Sequence, residues 1–272
     1  MRLRPRDEAD RLHLPVSRVS EGQPLRLLHS DSVEAEGVRF AAVMHVASDG
    51  GPIRTIVGGG HKHFVGEEPS QKTGLSNPYE GPTEYALIVD SELRSKVLDF
   101  RTQAFRLRLL AGGVVREWIC DHLRFLRVDG VDIVEAIECK PDMSFLDNEE
   151  RIVQRAASAV IEGMGWRHRI VYLRDVLGGG ERQVNFGEIY ARTTRLVPDD
   201  ALARFERMCA TTPNTTFRDL RLALDDDRLQ GTAHAHAMIC AGRVEVDLDR
   251  YLFDPMPVRL LPPSDFHSPI RF

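Results

Sequence analysis

The sequence predicts an α/β fold: a mixed sheet sandwiched by helices, followed by a C-terminal module of short helices and a strand pair. Three observations predict it. Residues 97–140 hold three extended segments rich in β-branched and aromatic side chains, separated by the turn-like AGG and RVDG. Uninterrupted helical patterns flank them at residues 83–95 and 146–165. Beyond about residue 177 the patterns shorten to three brief helical runs and a final Val- and Leu-bearing extended stretch.

At 272 residues, with 42% hydrophobic and 28% charged side chains, the chain can bury one large core or two smaller ones. Its longest apolar runs, such as residues 156–161, fall far short of the roughly 20 residues that a membrane span needs. The opening MRLRPRDEADRLHLP mixes arginines with acids and has no apolar centre. Neither a secretion signal nor a transit peptide is therefore expected, and a cytoplasmic location is. Cys120, Cys139, Cys209 and Cys240 form no CxxC pair and are expected to remain thiols. A net charge of −5 argues against a protein that coats nucleic acid non-specifically, while leaving room for basic patches at 101–108 and 167–169.

Taken in order, VRFAAVMHVA, the turn SDGGP and IRTIV read as a hairpin after an irregular, Pro- and Arg-bearing start. The Gly-, Pro- and Ser-rich residues 58–82 read as a loop or arm, in which His61, Lys62, His63 and Lys72 are candidate phosphate contacts. GGGHKH lacks the GK[ST] of a phosphate-binding loop. TEYALIVDSELRS is a helix with Thr83 as its expected N-cap and Glu84 in its first turn. The segments VLDFRTQAFRLRLL, VVREWICDHLRFL and VDIVEAIECK form an antiparallel meander of three strands. LDNEERIVQRAASAVIEGMG is a helix opening on acids and ending at Gly165, and RHRIVYLRD is a further strand. LGGGERQVNFGEIYARTTR reads equally as a linker and as a DNA-facing connection. PDDALARFERMCA, TTFRDLRLALD with a Thr cap, and GTAHAHAMICAG are short helices, and residues 243–261 give one or two strands. Helices followed by a two-stranded wing outline a winged-helix-like module. The divisions fall at 1–78 for the N-terminal hairpin and arm, 79–176 for the core and 177–272 for the C-terminal module. His234, His236 and Cys240 invite a zinc reading, but His234 leaves the face that the other two share, so ordinary helix residues are expected.

The chemistry concentrates in AIECKP. Strand alternation puts Glu138 and Lys140 on one face and Cys139 on the other. Counting outward from the turn at Asp129 and Gly130 brings Asp121 roughly opposite Glu138. Two adjacent carboxylates repel unless a cation lies between them, and hard oxygen ligands suit magnesium or manganese. Lys140 beside them can orient a water and offset phosphate charge. Glu84 can add a further ligand or base, although it can equally serve the helix N-terminus, and Glu80 and Glu92 are neighbouring acids that compete for the assignment. A metal, a lysine and carboxylates outline phosphodiester hydrolysis.

These residues resemble the PD-(D/E)xK nuclease superfamily, and residues 66–141 more narrowly resemble the TnsA endonuclease subunit of heteromeric bacterial transposases. The matching pieces are GEEPSQKTG, YEGPTEYALIVDSELRSKVLDFRTQAF, REWICDHLRF and VEAIECKP. The resemblance implies a restriction-endonuclease-like mixed sheet sandwiched by helices. It makes Glu84 the helix acid, Gln103 the strand glutamine, either a DNA contact or a structural hydrogen bonder, Asp121 and Glu138 metal ligands, and Lys140 the catalytic lysine. It also implies Mg2+ as cofactor, with Mn2+ able to substitute, and a transposition and DNA-recombination function. DNA would be cut at the 5′ ends of an element together with a DDE-type transposase subunit and an AAA+ ATPase regulator. Cys120 stands where the family usually has proline, His122 where it has an aromatic residue, and DSELRS where apolar residues are common. An autonomous defence or repair nuclease of the same superfamily and a non-catalytic DNA-binding scaffold are the alternatives.

Overall fold

A computed structural model describes residues 24–54, 64–145 and 148–263. The first strands, β1 (Leu25–Ala35) and β2 (Val38–Ala47), form a hairpin. Its turn places both Glu36 and Gly37 at positive φ, the twist that a two-residue hairpin loop demands. The partner of β2 is thus the preceding segment, which the sequence suggested was irregular, and not IRTIV. Of IRTIV only Ile53 and Arg54 are described, outside any strand, and the candidate contacts His61, Lys62 and His63 lie outside the described residues. The expected arm contains a second hairpin, β3 (Val65–Pro69) with β4 (Ser76–Glu80).

The helix α1 (Pro82–Leu93) begins with Pro82 after Gly81 at φ 93. Proline is pre-set for the first helical turn and its missing N–H costs nothing there. Thr83 is therefore inside the helix and not its N-cap, and its hydroxyl instead faces the carbonyl of Lys140 at 3.4 Å.

The meander has the expected path but five strands in place of three. These are β5 (Val97–Thr102), β6 (Arg106–Ala111), β7 (Val114–Ile119), β8 (His122–Val128) and β9 (Val131–Lys140). Two of the long segments change sheets halfway. β6 and β7 complete an antiparallel sheet of order β1-β2-β6-β7, while β5, β8 and β9 join β10 (Arg167–Tyr172) in the order β10-β9-β8-β5. The second sheet is mixed, since β10 runs parallel to β9 and the other pairs are antiparallel. Gln103 at φ 50 turns the first segment. The Gln103 N–H donates to Asp121 O, Ala104 N–H to Cys120 O and Cys120 N–H to Phe105 O, so hydrogen bonding continues through the bend.

The main core lies between the two sheets and α2 (Asn148–Gly163). Phe40, Met44, Phe105, Leu107, Leu123 and Phe125 meet Ala156, Val160 and Ile161 there. On the other face of the second sheet, Ala86 and Leu87 of α1 pack on Ile137 and Val171. The chain is thus an α/β protein with helices on both faces of a mixed sheet.

The strand expected at 167–175 ends at Tyr172 and gives way to α3 (Leu173–Leu177), and α4 (Gly180–Tyr190) stands where the connection at 177–195 was expected. Arg182 there is bound to Asp249, and the Asn185 amide donates to Leu248 O and Arg250 O, so α4 is anchored to the C-terminal part of the chain. Next come α5 (Asp199–Thr211), β11 (Asn214–Thr216), α6 (Phe217–Leu224), α7 (Arg228–Cys240), β12 (Val244–Glu245) and β13 (Pro257–Leu260), with sheet order β11-β13-β12. Thr216 and Asp227 cap α6 and α7 with their side-chain oxygens. Phe186, Phe205, Phe217 and Ile239 share a core with Val89 and Leu93 of α1, which ties this part to the central sheet's helix. Among the described residues no helix is long and apolar enough to cross a membrane.

Gly231 lies inside α7, where alanine would ordinarily gain about 1 kcal/mol. A Cβ there would sit 2.4 Å from Arg221 O and 3.0 Å from Asp225 O, backbone atoms that cannot rotate aside. Gly231→Ala is accordingly expected to destabilise by about 1–3 kcal/mol, the usual range for overpacking, in urea unfolding followed by circular dichroism.

Candidate active site

Asp121 sits one residue before β8, where the two-sheet bend ends. In the β8–β9 register His122 pairs with Ile137, so one further step brings Asp121 opposite Glu138. The contact is direct at the backbone: the Cys139 N–H donates to Asp121 Oδ2 at 2.8 Å. Glu138 and Lys140 share a face as alternation requires, with Lys140 Nζ 2.7 Å from Glu138 Oε1. Cys139, on the other face, packs against the Ala86, Leu87 and Val171 cluster.

Of the remaining expectations, Glu84 and Gln103 also arrive here. Glu84 Oε2 accepts the Glu80 N–H at 2.9 Å and faces Gln103 Nε2 at 3.4 Å. Gln103 is fully buried. Of the competing acids, Glu92 is bound elsewhere: it accepts from Ser70 Oγ and from the Gln71 and Lys72 amides. Glu80 leans towards Arg54, with Nη2 to Oε2 at 3.5 Å.

Burial and mutual repulsion dominate the electrostatics. Burial, then Glu138 and Glu84, push the Asp121 carboxyl well above its ordinary value, against the Cys139 amide and the charge of Arg54. Burial likewise pushes Glu84 up to about 7; the Glu80 amide and Arg54 oppose this, while the charges of Glu80 and Glu138 reinforce it. For Lys140 burial acts to lower the pKa, yet Glu138 and Glu150 outweigh it and hold the ammonium above its ordinary value. Lys140 therefore stays a cation at neutral pH and donates to both carboxylates.

Three participants carried no signal in the sequence reading. Trp118, from β7, donates its indole N–H to Glu138 Oε2 at 2.5 Å. Glu150, in the first turn of α2, binds Lys140 Nζ at 2.6 Å. Arg54 Nε donates to Gln103 Oε1 at 2.7 Å. Arg54 lies 49 residues from Gln103, Trp118 lies 20 from Glu138 and Glu150 lies 10 from Lys140, and each contact crosses between elements that no local pattern pairs. The odd residues flanking the site are also explained. Cys120 uses its N–H, which a proline would lack. His122 fills an aromatic slot, stacked on Phe100 with ring centroids 5.1 Å apart.

Lys72 is corrected. Its ammonium donates to Ser91 O, Arg94 O and Val97 O at 2.8, 2.6 and 3.0 Å, closing the C-terminal end of α1. Burial pulls it down to about 8 against the charge of Glu92. It is therefore not a phosphate contact. Of the basic patches, Arg106 and Arg108 face Glu117, Arg101 is bound to Asp99, and Arg169 faces Glu135. His234, His236 and Cys240 are buried side chains of α7.

Among the described residues no three His, Cys, Asp or Glu side chains already stand at metal-ligand spacing. Each site carboxylate is drawn to a protein donor: Asp121 to an amide, Glu84 to an amide, and Glu138 to Trp118 and Lys140. The donor set still fits a hard divalent cation, since the buried carboxylates Glu84, Asp121 and Glu138 act on one another and a cation relieves that repulsion.

Two outcomes follow in the absence of divalent ions. Asp121→Asn removes a destabilised charge and should raise stability by about 1–3 kcal/mol, read by urea unfolding in chelator. Glu84 has a folded pKa of about 7 against an ordinary 4.5, so it binds more protons when folded. Its contribution is full below pH 4.5 and is lost as pH rises through 7. The melting temperature of the wild type should therefore fall relative to that of Glu84→Gln across this window, and parallel curves would contradict the assignment.

The chain matches no protein-family model, and no curated protein matches it, so the functional reading rests on the residues themselves.

Proposed function

We propose that the protein is a metal-dependent DNA endonuclease of the PD-(D/E)xK type, resembling TnsA and acting in the cytoplasm with a DDE-type transposase subunit and an AAA+ regulator. The observation that carries this reading is the meeting of Asp121 and Glu138 on neighbouring strands, with Lys140 Nζ 2.7 Å from Glu138 and Glu84 entering from the first turn of α1. The helix, strands, helix and parallel strand around a mixed sheet support the nuclease fold. The order α5, β11, α6, α7, β12, β13, ending in an antiparallel pair, supports a winged-helix-like C-terminal module.

Glu84, Asp121 and Glu138 would hold one or two Mg2+ ions, for which Mn2+ would substitute. A bound ion supplies Lewis-acid polarisation of the phosphate and of a water. The chain's own groups do the rest. Lys140, held protonated by Glu138 and Glu150, donates towards the attacking water or the phosphate and offsets charge that grows at phosphorus. Trp118 fixes one Glu138 oxygen so that the other carries the contact to Lys140. Gln103 steadies Glu84.

The test is nicking of supercoiled plasmid in Mg2+ or Mn2+, with the protein alone and with a DDE-type transposase subunit. Asp121→Ala and Lys140→Ala are each expected to lose at least roughly a hundredfold in rate. Cleavage that requires the partner supports transposition, and cleavage without it supports an autonomous nuclease. Variants that cut as well as the wild type would sink the catalytic assignment.

A further inference from the structure

We infer that Arg54 is a positioning residue of this site, locking Gln103 against Glu84 and acting as the fixed cation with which a divalent ion must share the carboxylates. The inference rests on the nuclease reading and adds a residue to it.

The geometry is a chain of contacts. Arg54 Nε donates to Gln103 Oε1 at 2.7 Å, and Nη2 lies 3.5 Å from Glu80 Oε2. Gln103 Nε2 then points to Glu84 Oε2 at 3.4 Å. A glutamine amide can present either end to a neighbour. Because Arg54 can only donate, it selects the oxygen of Gln103 and leaves the NH2 for Glu84. Without Arg54, a flipped amide would set its oxygen against the Glu84 carboxylate. The backbone reinforces the arrangement: Ile53, adjacent to Arg54, donates its N–H to Gln103 O at 2.7 Å, and the Gln103 N–H reaches Asp121 O at 3.0 Å.

The cluster has a cation at each end. Lys140 lies on the Glu138 side, where Glu150 also binds it, and Arg54 lies on the Glu84 side. Its side chain is only 18% exposed, so solvent screens it weakly. A positive charge in that position draws the carboxylates together when no ion is bound and opposes an arriving divalent ion.

Arg54→Gln and Arg54→Lys separate the two roles, and Mn2+ is the probe, followed by melting temperature and by calorimetric titration as well as by plasmid nicking. Arg54→Gln should melt lower in chelator, bind Mn2+ with a half-saturation reduced roughly tenfold, and nick roughly tenfold more slowly at saturating Mn2+ because Glu84 is less well held. Arg54→Lys keeps the charge and should bind Mn2+ as the wild type does, yet nick slowly, since an ammonium lacks the planar fork. The inference is overturned if Arg54→Gln binds Mn2+ and nicks like the wild type, or if both variants shift Mn2+ binding equally. If the wild type neither binds Mn2+ nor nicks, and Asp121→Ala behaves identically, the nuclease reading itself falls and takes this inference with it. Nicking abolished by Asp121→Ala but untouched by both Arg54 variants would sink the Arg54 inference alone.

Discussion

The backbone of Gln103 is the point on which the site depends. At φ 50 it turns one long extended segment out of the central sheet and into the outer one, while its N–H holds Asp121 O and its carbonyl receives Ile53 N. The neighbouring strand turns with it at Cys120, because Ala104 and Phe105 keep both backbone groups of Cys120 paired. A positive φ costs a non-glycine residue about 1 kcal/mol or more. That cost is offset by three backbone hydrogen bonds across the bend and by the burial of Phe105 and Cys120 in the main core. The bend delivers Asp121 to the strand end, brings Trp118 to Glu138 and aims the Gln103 side chain at Glu84.

A second constraint is the position of α1, which packs on the central sheet through Ala86 and Leu87 and on the C-terminal core through Val89 and Leu93. A helix buried on so many sides should be apolar all round. It nevertheless buries Asp90, Ser91 and Glu92. Each is matched: Asp90 by Arg124 and Arg94, Ser91 by His122 and Arg124, and Glu92 by Ser70 and two backbone amides. The polar DSELRS stretch is therefore an internal network that fixes the β3–β4 loop and β8 to the helix. Lys72 completes it by closing the helix's C-terminal carbonyls. Glu84 at one end of this helix is thus set by interactions at the other.

Much of this was legible in the sequence and some was not, for physical reasons. Alternation fixes that Glu138 and Lys140 share a face, and the two-residue turn at Asp129 and Gly130 fixes the register that brings Asp121 opposite Glu138. Both are local rules, so both could be read. The sheet switch was hidden because extended backbone on either side of Gln103 looks the same to a pattern of side chains. Arg54 was missed because its partner Gln103 lies 49 residues on, and Trp118 and Glu150 because their contacts with Glu138 and Lys140 cross between elements that no local pattern pairs. Lys72 was misread because a lysine in a polar loop is ordinarily solvated, and only the C-terminal end of α1 gives it three carbonyls. Helix α4 was obscured by Gly178, Gly179 and Gly180, which end α3 and begin α4 but read in isolation as a linker.

The contrast between the buried acids carries the argument for function one step further. Asp90 faces two guanidinium groups and Glu92 receives a hydroxyl and two amides, as buried carboxylates require. Asp121 has one backbone amide, and Glu84 has one amide and a long contact from Gln103. The fold thus provides donors for the acids that serve structure and for Glu138, which Trp118 and Lys140 hold, and stints Asp121 and Glu84. Carboxylates kept dry, close together and short of donors are destabilised in the charged form, and a divalent cation would stabilise them most. Arg54 and Lys140 offset the charge of the cluster from two ends, Arg54 acting on Glu84 and Asp121 and Lys140 pairing with Glu138, without placing a double charge between them.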